Sequence, residues 1–243
     1  MPRPLWIALL AAAAFAVILV SRLPASWVVP RTGIAACASA EGSVWSGSCS
    51  GLTFERMPFG DLSWDAAPLR LLTGTVAGHV VLAHGPVTAS ADVAYGVGGS
   101  LSLRNLIADL KLDPRQVPHV PPQLRGSLHT DLALLRLEHG RLAELKGRIE
   151  AHDLTQRTGH VTPLGSYAIS FPGGGSEPVG NLTDLGGPLA VEGTLRLTDQ
   201  PGYVLEGQVA ARADAAPELI GNLQFLGSPD ASGRRPFSIA GTF

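Results

Sequence analysis

The sequence predicts a mainly β protein: a single N-terminal transmembrane helix, then a twisted antiparallel β-roll or sandwich-like domain with one short C-terminal helix. Three observations predict this architecture. Residues 5–20 form an uninterrupted apolar run. The 29 glycines and 19 prolines are spread along the 243 residues, which indicates many turns between short elements. Between those turns, apolar and polar residues alternate, as in strands that bury one face.

The composition excludes several classes of protein. Apolar residues make up 45% of the chain and charged residues 16%, so the chain can bury a core and disorder is not expected. The formal net charge is −2 and no basic run is present. Because nucleic-acid binding relies on a basic surface, no nucleic acid is expected as a partner.

The N-terminal run is long enough for a membrane anchor. As a helix, residues 5–23 would span about 28 Å, close to the thickness of the bilayer's hydrocarbon core. Trp6 and Trp27 lie near its two ends, where aromatic side chains favour the membrane interface, so they are candidate interface anchors. We predict a short cytoplasmic N-terminus over residues 1–4, the helix over 5–23 and a linker over 24–32.

A cleaved signal peptide is the alternative for this segment. Its cleavage site would be a small-residue triplet just after the apolar run. The one well-formed triplet, at residues 38–40, comes far beyond the end of that run, so an uncleaved anchor is favoured. The few flanking arginines do not fix the orientation of the helix.

Residues 33–243 are predicted to form one β-rich domain, with a candidate seam at the proline-rich segment 113–126. The clearest element is a hairpin over residues 187–212, in which two alternating runs flank the turn "DQPG". A second hairpin turns at residues 84–86. The apolar phase slips near Asn105, which predicts a β-bulge there.

The C-terminal part continues this pattern. Residues 127–140 and 141–153 are predicted as strands, although 142–147 could instead form a helical turn, and a further strand precedes a glycine-rich loop. One helix is expected over residues 214–227, because Asp214 can cap it, Pro217 suits its first turn and Gly227 can end it. A final alternating strand runs to Phe243.

The sequence carries no constellation that points to catalysis. The seven histidines never take a metal-ligand spacing, and the densest group, His152, Asp153 and His160, is best explained as a solvated loop. The glycine runs at residues 96–99 and 173–175 lack the frames of nucleotide-binding loops. Neither an enzymatic activity nor a cofactor nor a metal is therefore expected.

Cys37 and Cys49 are the two cysteines of the chain. Neither a CxxC motif nor nearby ligands support a redox or metal site. If the segments around them pair about a turn at residues 42–44, the two cysteines fall directly opposite each other, which permits a disulfide. Two buried free thiols are the alternative. A disulfide would favour an oxidising compartment outside the cytoplasm.

Several segments in order carry a family resemblance: "LPASWVVPR", "EGSVWSG", "GDLSWDAAPLRLLTG" and, near the end, "GPLAVEGTL" followed by "LQFLG". This ordered set resembles the N protein of the type II secretion system. The resemblance implies a single-pass inner-membrane protein of a Gram-negative bacterium with a periplasmic β domain. It implies a non-enzymatic part in moving folded proteins across the outer membrane, with inner-membrane platform proteins and the secretin as partners. No catalytic residues are carried over.

An alternative from another class stays open. Glycine-led strands behind a single anchor are also similar to AsmA-like envelope proteins, which would imply an apolar groove that handles lipid. A continuous apolar groove open to solvent would favour lipid handling, whereas a filled core with apolar patches at a sheet edge would favour protein contacts. Under both hypotheses an exposed sheet edge is the expected contact surface.

Overall fold

A computed structural model describes residues 15, 18–20, 22–27, 35–55, 57–114, 120–174, 177–198 and 202–242. The strands are β1 (Ala35–Ala36), β2 (Ser39–Gly42), β3 (Ser46–Phe54), β4 (Met57–Ala66), β5 (Thr75–Ala83), β6 (Val87–Gly96), β7 (Ser100–Leu112), β8 (Leu124–Glu138), β9 (Arg141–Arg157), β10 (Val161–Pro172), β11 (Val179–Gly186), β12 (Leu189–Thr198), β13 (Gly202–Ala211) and β14 (Arg235–Thr242). Among the described residues, the helices with both ends in place are α1 (Pro217–Leu223) and two short 3-10 helices, Ala25–Trp27 and Pro68–Thr73; residues 15 and 18–20 are also helical.

All these strands belong to one sheet. From β3 to β14 each strand pairs antiparallel with its neighbour in sequence, and β1 and β2 both pair with β3. The mainly β, antiparallel prediction is therefore confirmed. The hairpin that turns at residues 84–86 is also confirmed, as is the hairpin formed by β12 and β13, whose turn at residues 199–201 lies outside the described residues. The sheet continues across the predicted seam, because β7 and β8 pair along their length.

The register gives the sheet one apolar and one polar face. Residues directly opposite each other on paired strands share a face, so each face can be followed from strand to strand. One row runs through Cys49, Leu62, Leu82, Ala89, Ala108, Thr130, Ile149, Ile169, Leu182, Gly193, Gly207 and Phe237. The adjacent row on the other face runs through Ser48, Ser63, Val81, Ser90, Ile107, Asp131, Arg148, Ser170, Asn181, Thr194, Glu206 and Ser238.

The packed core lies on the apolar face between β7 and β12. Leu132, Leu145 and Phe171 are buried there, and Leu195 of β12 packs against them. The ring of Phe171 lies over Gly180 of β11: a Cβ at that glycine would come within 2.7 Å of the ring. The glycine thus lets a large side chain lie flat across the neighbouring strand and reach the next one.

Two local predictions can be checked in the middle of the chain. Ser90 pairs with Ile107 and Asp92 pairs with Arg104, so the bulge predicted near Asn105 is confirmed. Asn105 itself has φ +50°, a left-handed conformation that asparagine tolerates. Residues 142–147 belong to β9 and do not form the helical turn that was the alternative.

The C-terminal helix is shorter than predicted. The cap is Ala216, without a side-chain hydrogen bond, so the prediction of Asp214 as the cap is wrong. Pro217 does occupy the first turn. After Leu223 the chain continues in tight turns, with the N–H of Leu226 donating to the carbonyl of Leu223. Such i→i+3 hydrogen bonds replace the i→i+4 bonds of the α-helix, which therefore ends before residue 227.

Candidate functional site

An apolar groove of about 500 Å³ lies at the N-terminal end of the sheet. It occupies the same apolar face as the packed core, above strands β1 and β3–β6. Its lining atoms are almost all apolar. The lining residues are Ala35, Ala36, Cys37, Val44, Cys49, Leu52, Leu62, Trp64, Asp65, Ala66, Val76, Ala77, Gly78, His79, Val80, Val93 and Tyr95.

Trp64 forms one wall of the groove. Its indole Nε1 donates a hydrogen bond to the carbonyl oxygen of Val44 at 3.1 Å. Its ring lies over Gly47, the residue directly opposite on β3, where a Cβ would come within 2.7 Å of the ring. The hydrogen bond satisfies the one polar atom of this side chain, so Trp64 presents an apolar surface to the groove.

A disulfide lies beside this wall. Cys37 and Cys49 are joined with their Cα atoms 5.7 Å apart, and Cys49 is fully buried. The two residues are not directly opposite, however: Ala40 faces Cys49, so the predicted register is wrong. The cause is the turn. The hydroxyl oxygen of Ser43 accepts hydrogen bonds from the N–H groups of residues 45 and 46, which places the turn later than residues 42–44.

Exposed apolar side chains lie on the segments that adjoin one end of the groove, just before β5 and at the end of β6. We call this set the rim; it comprises Leu69, Leu71, Leu72, Val76, Tyr95 and Val97. Leu69 is 79% exposed, Leu72 85% and Val97 89%. Backbone hydrogen bonds join the segments that carry the rim, since Val97 N–H donates to the carbonyl of Gly74 at 3.0 Å. Val76 and Tyr95 belong to both the groove and the rim, so the groove opens there.

The N-terminal segment is attached next to the groove. The indole Nε1 of Trp45 donates to the carbonyl of Val20 at 2.8 Å, and Val44 N–H donates to that of Leu23 at 3.0 Å. Trp27 is exposed, whereas Trp6 lies outside the described residues. Most of the predicted helix over residues 5–23 also lies outside them. Among the residues that are described, no helix is both long enough and apolar enough to cross a membrane.

A second concavity of about 900 Å³ lies between β3 and β9 and is more polar. Three histidines line it: His84, His129 and His152. Each is paired with a carboxylate; His129 Nδ1, for example, lies 2.8 Å from Asp109 Oδ1, and this hydrogen bond raises the pKa of His129. Within the described part of the chain, no group of side chains could hold a metal ion.

The histidine group noted in the sequence is divided between two contacts. His152 Nε2 lies 2.9 Å from Glu150 Oε2, and the other oxygen of this carboxylate, Oε1, accepts a hydrogen bond from Arg148. The Arg148 guanidinium, with His152 adding to its effect, lowers the pKa of Glu150. His160 Nε2 instead lies 2.8 Å from Glu218 of α1. His152 therefore lies on β9 and not in the solvated loop expected from the sequence, and the two histidines contact carboxylates on different elements.

An apolar groove was the open alternative in the sequence analysis, but its position on the sheet and its lining residues were not predicted. One strand did carry a signal: Leu62 and Trp64 alternate with Asp61, Ser63 and Asp65 along β4. That pattern identifies the apolar face of the strand. It does not reveal that the side chains on this part of the face leave a volume between them unfilled.

Searches of curated proteins and of solved structures give no significant match. A family model described as type II secretion system (T2SS), protein N, matches residues 35–238, which include strands β1–β13, helix α1 and the first half of β14. Because this match covers most of the chain, the protein belongs to the family of type II secretion system protein N.

Proposed function

We propose that this protein is a non-enzymatic component of the type II secretion machinery that assists assembly, or the export of folded proteins, through protein–protein contacts. Residues 5–23 anchor it in the inner membrane and the sheet lies in the periplasm. The family match over residues 35–238 carries the proposal. The apolar N-terminal run and the disulfide support the anchor and the oxidising compartment. Platform proteins of the inner membrane and the secretin are the candidate partners.

The contact surface in this proposal is the outer edge of β14. The two ends of the sheet differ. Near the N-terminal end of the sheet, the 3-10 helix Ala25–Trp27 lies against β2 and β3, and Pro24 forms a β-bridge with Ser43. At the other end, within the described part of the chain, β14 pairs with β13 alone. Half of the backbone N–H and C=O groups of such a strand point away from its partner and can bind an added strand.

The composition of β14 suits strand addition. Natural edge strands are commonly protected by charged side chains or bulges. After Arg235 and Pro236, residues 237–242 carry no charge, and Ile239 is 51% exposed. An extended segment of a partner could therefore pair with β14 and cover Ile239.

The test is export of a folded type II substrate by cells that lack the gene and carry a plasmid copy. We expect the wild-type copy to restore export. The double variant Ile239→Lys and Ala240→Lys should fail, because charges on an edge strand oppose strand addition. Asn181→Lys is the matched control, since it adds a charge to an exposed position on the central strand β11.

Crosslinking identifies the contact directly. With a photoreactive residue at each position from 237 to 242 in turn, we expect adducts with a secretion component at alternate positions. If no position captures one while export is normal, the edge is not the contact surface. If loss of the gene leaves export unchanged, the role in secretion itself is wrong.

A further inference from the structure

We propose that the apolar groove binds one acyl chain of a membrane phospholipid, which enters through the rim. This property goes beyond the secretion role, because protein contacts at β14 do not require it. Three features carry the inference: the chemistry of the lining, the size and opening of the groove, and the surface that surrounds its mouth.

The lining calls for a hydrocarbon ligand. The lining is almost entirely apolar, and two of its polar groups are already paired within the protein: Trp64 Nε1 donates to Val44, and His79 Nδ1 is held 2.9 Å from Asp92. The second oxygen of Asp92 accepts a hydrogen bond from Asn105. This bond, with His79 adding to it, lowers the pKa of Asp92 and keeps the carboxylate charged on the polar side of the sheet. A polar ligand would lose its water contacts in the groove and find few polar groups to replace them.

The dimensions fit a chain of carbon atoms. A volume of about 500 Å³ lies within the range of small-molecule sites, roughly 300–1,000 Å³. Covering the exposed apolar atoms of the lining would contribute about 25 cal/mol for each Å² removed from water. The groove is open at Val76 and Tyr95, so an acyl chain can enter from that end without unfolding the sheet.

The mouth of the groove is suited to a bilayer surface. Leu69 and Leu72 project into solvent on either side of Arg70 in the 3-10 helix Pro68–Thr73. Between residues 66 and 91 the sequence contains no Asp or Glu, and Arg70 is its one Arg or Lys. A cation among exposed leucines favours the interface of an anionic membrane. The apolar N-terminal run reaches the sheet at Val20, beside Trp45, so the predicted anchor brings this same end to the membrane.

The test is photocrosslinking in the full-length protein, reconstituted into vesicles of phosphatidylethanolamine and phosphatidylglycerol. p-Benzoylphenylalanine is placed at Val80, which lines the groove, or at Val81, its neighbour on the polar face. The two sites lie on one strand, so they are matched in depth and in distance from the anchor. We expect an adduct with the mass of a phospholipid at Val80, several-fold more abundant than at Val81.

Two further variants test whether the acyl chain lies in the groove and enters through the rim. Val93→Trp should narrow the groove and reduce the lipid adduct at Val80; circular dichroism and an intact disulfide show whether this variant is folded. Leu69→Asp with Leu72→Asp should slow the appearance of the adduct, because the rim no longer enters the interface. The Val80 adduct in the otherwise unchanged protein decides the proposal even if either variant fails to fold.

Two results of the crosslinking experiment would overturn the proposed lipid site. Equal lipid adducts at Val80 and Val81 would mean contact with the bilayer without a site, and would overturn the proposal. A crosslink from Val80 to another segment of this chain, or in cells to a partner protein, would identify a different occupant and overturn it as well. None of these outcomes affects the secretion role, which is tested by export.

Discussion

Two parts of the sheet use the same apolar face differently. We call strands β1–β6 (residues 35–96) the open half and strands β7–β14 (residues 100–242) the filled half. In the filled half, Leu132, Leu145 and Phe171 are buried against one another. In the open half the buried apolar side chains are small, Cys49 and Ala91, and the groove lies above them. The difference shows that alternation determines which face is apolar, whereas side-chain volume determines whether that face is filled.

The two halves should therefore be stabilised by different interactions. Packing of large side chains stabilises the filled half, because each contributes transfer free energy and dispersion contacts. The open half has less packing and instead has the Cys37–Cys49 disulfide and the hydrogen bonds of Trp45 and Trp64. Three substitutions test this difference, and they follow in order of expected effect.

The largest effect is expected from Phe171→Ala in the filled half. Phe171 is 3% exposed and touches the centre of the core, so its removal leaves a cavity. We expect a loss of about 3–5 kcal/mol in the free energy of unfolding, measured by urea denaturation. Val80→Ala in the open half is the comparison variant and should cost only about 1 kcal/mol, because Val80 is half-buried. Equal losses would mean that the two halves are packed alike.

The next effect is expected from the disulfide of the open half. The double variant Cys37→Ala and Cys49→Ala removes a crosslink between residues 12 apart in sequence. On the chain-entropy model this costs about 3 kcal/mol. Hydrogen exchange should rise in β3–β6, while amides of β8–β12 keep most of their protection. Reduction of the unmodified protein should reproduce the pattern. A uniform rise across all strands would contradict the division into two halves.

The smallest of the three effects is expected from Arg212→Gln in the filled half. Burial alone would raise the pKa of Asp184, but the hydrogen bond from Arg212, with those from the N–H groups of Val191 and Gly186, holds it below its usual value. A carboxylate with a lowered pKa adds stability at neutral pH that is lost as the pH falls through that pKa. We expect Arg212→Gln to cost about 1–2 kcal/mol at neutral pH and to flatten the acid limb of the stability curve.

Arg196→Gln is the matched control for that measurement, since Arg196 is an exposed arginine on β12. It should change stability by no more than about 0.5 kcal/mol and leave the pH dependence intact. If both variants gave the same pH profile, the pair of Arg212 and Asp184 would not be the source of the acid dependence.

Local sequence patterns predicted the parts of the fold that depend on neighbouring residues. The hairpins on either side of residues 84–86 and 199–201, the bulge near Asn105 and the last strand followed from alternation and turn chemistry. Strands β4 and β11 were missed, because Pro58 and Gly60 in the one and Gly180 and Asp184 in the other are residues typical of turns. Both strands are held by pairing on two sides, which overrides local propensity.

The candidate site was less predictable for two physical reasons. The hydroxyl of Ser43 shifts the first turn, and a shift of the turn changes every partner of Cys37 and Cys49. The groove depends on which residues of β3, β4, β5 and β6 come to lie side by side, and therefore on three registers at once. An alternating pattern shows which face of the sheet a side chain points to. It does not show how much volume the side chains of neighbouring strands leave unfilled.

The neighbour-to-neighbour order of the strands has a kinetic consequence. Because each strand from β4 onward pairs with the strand just before it, each pairing closes only the loop of one hairpin, and short loops cost little entropy to close. A chain that emerges N-terminus first, from a ribosome or a translocation pore, can add one hairpin after another to a growing sheet. β14 is the last of the described strands to arrive. A chain stopped short of it would display β13 as its edge, so the surface proposed for partners would exist only on a chain that has reached β14.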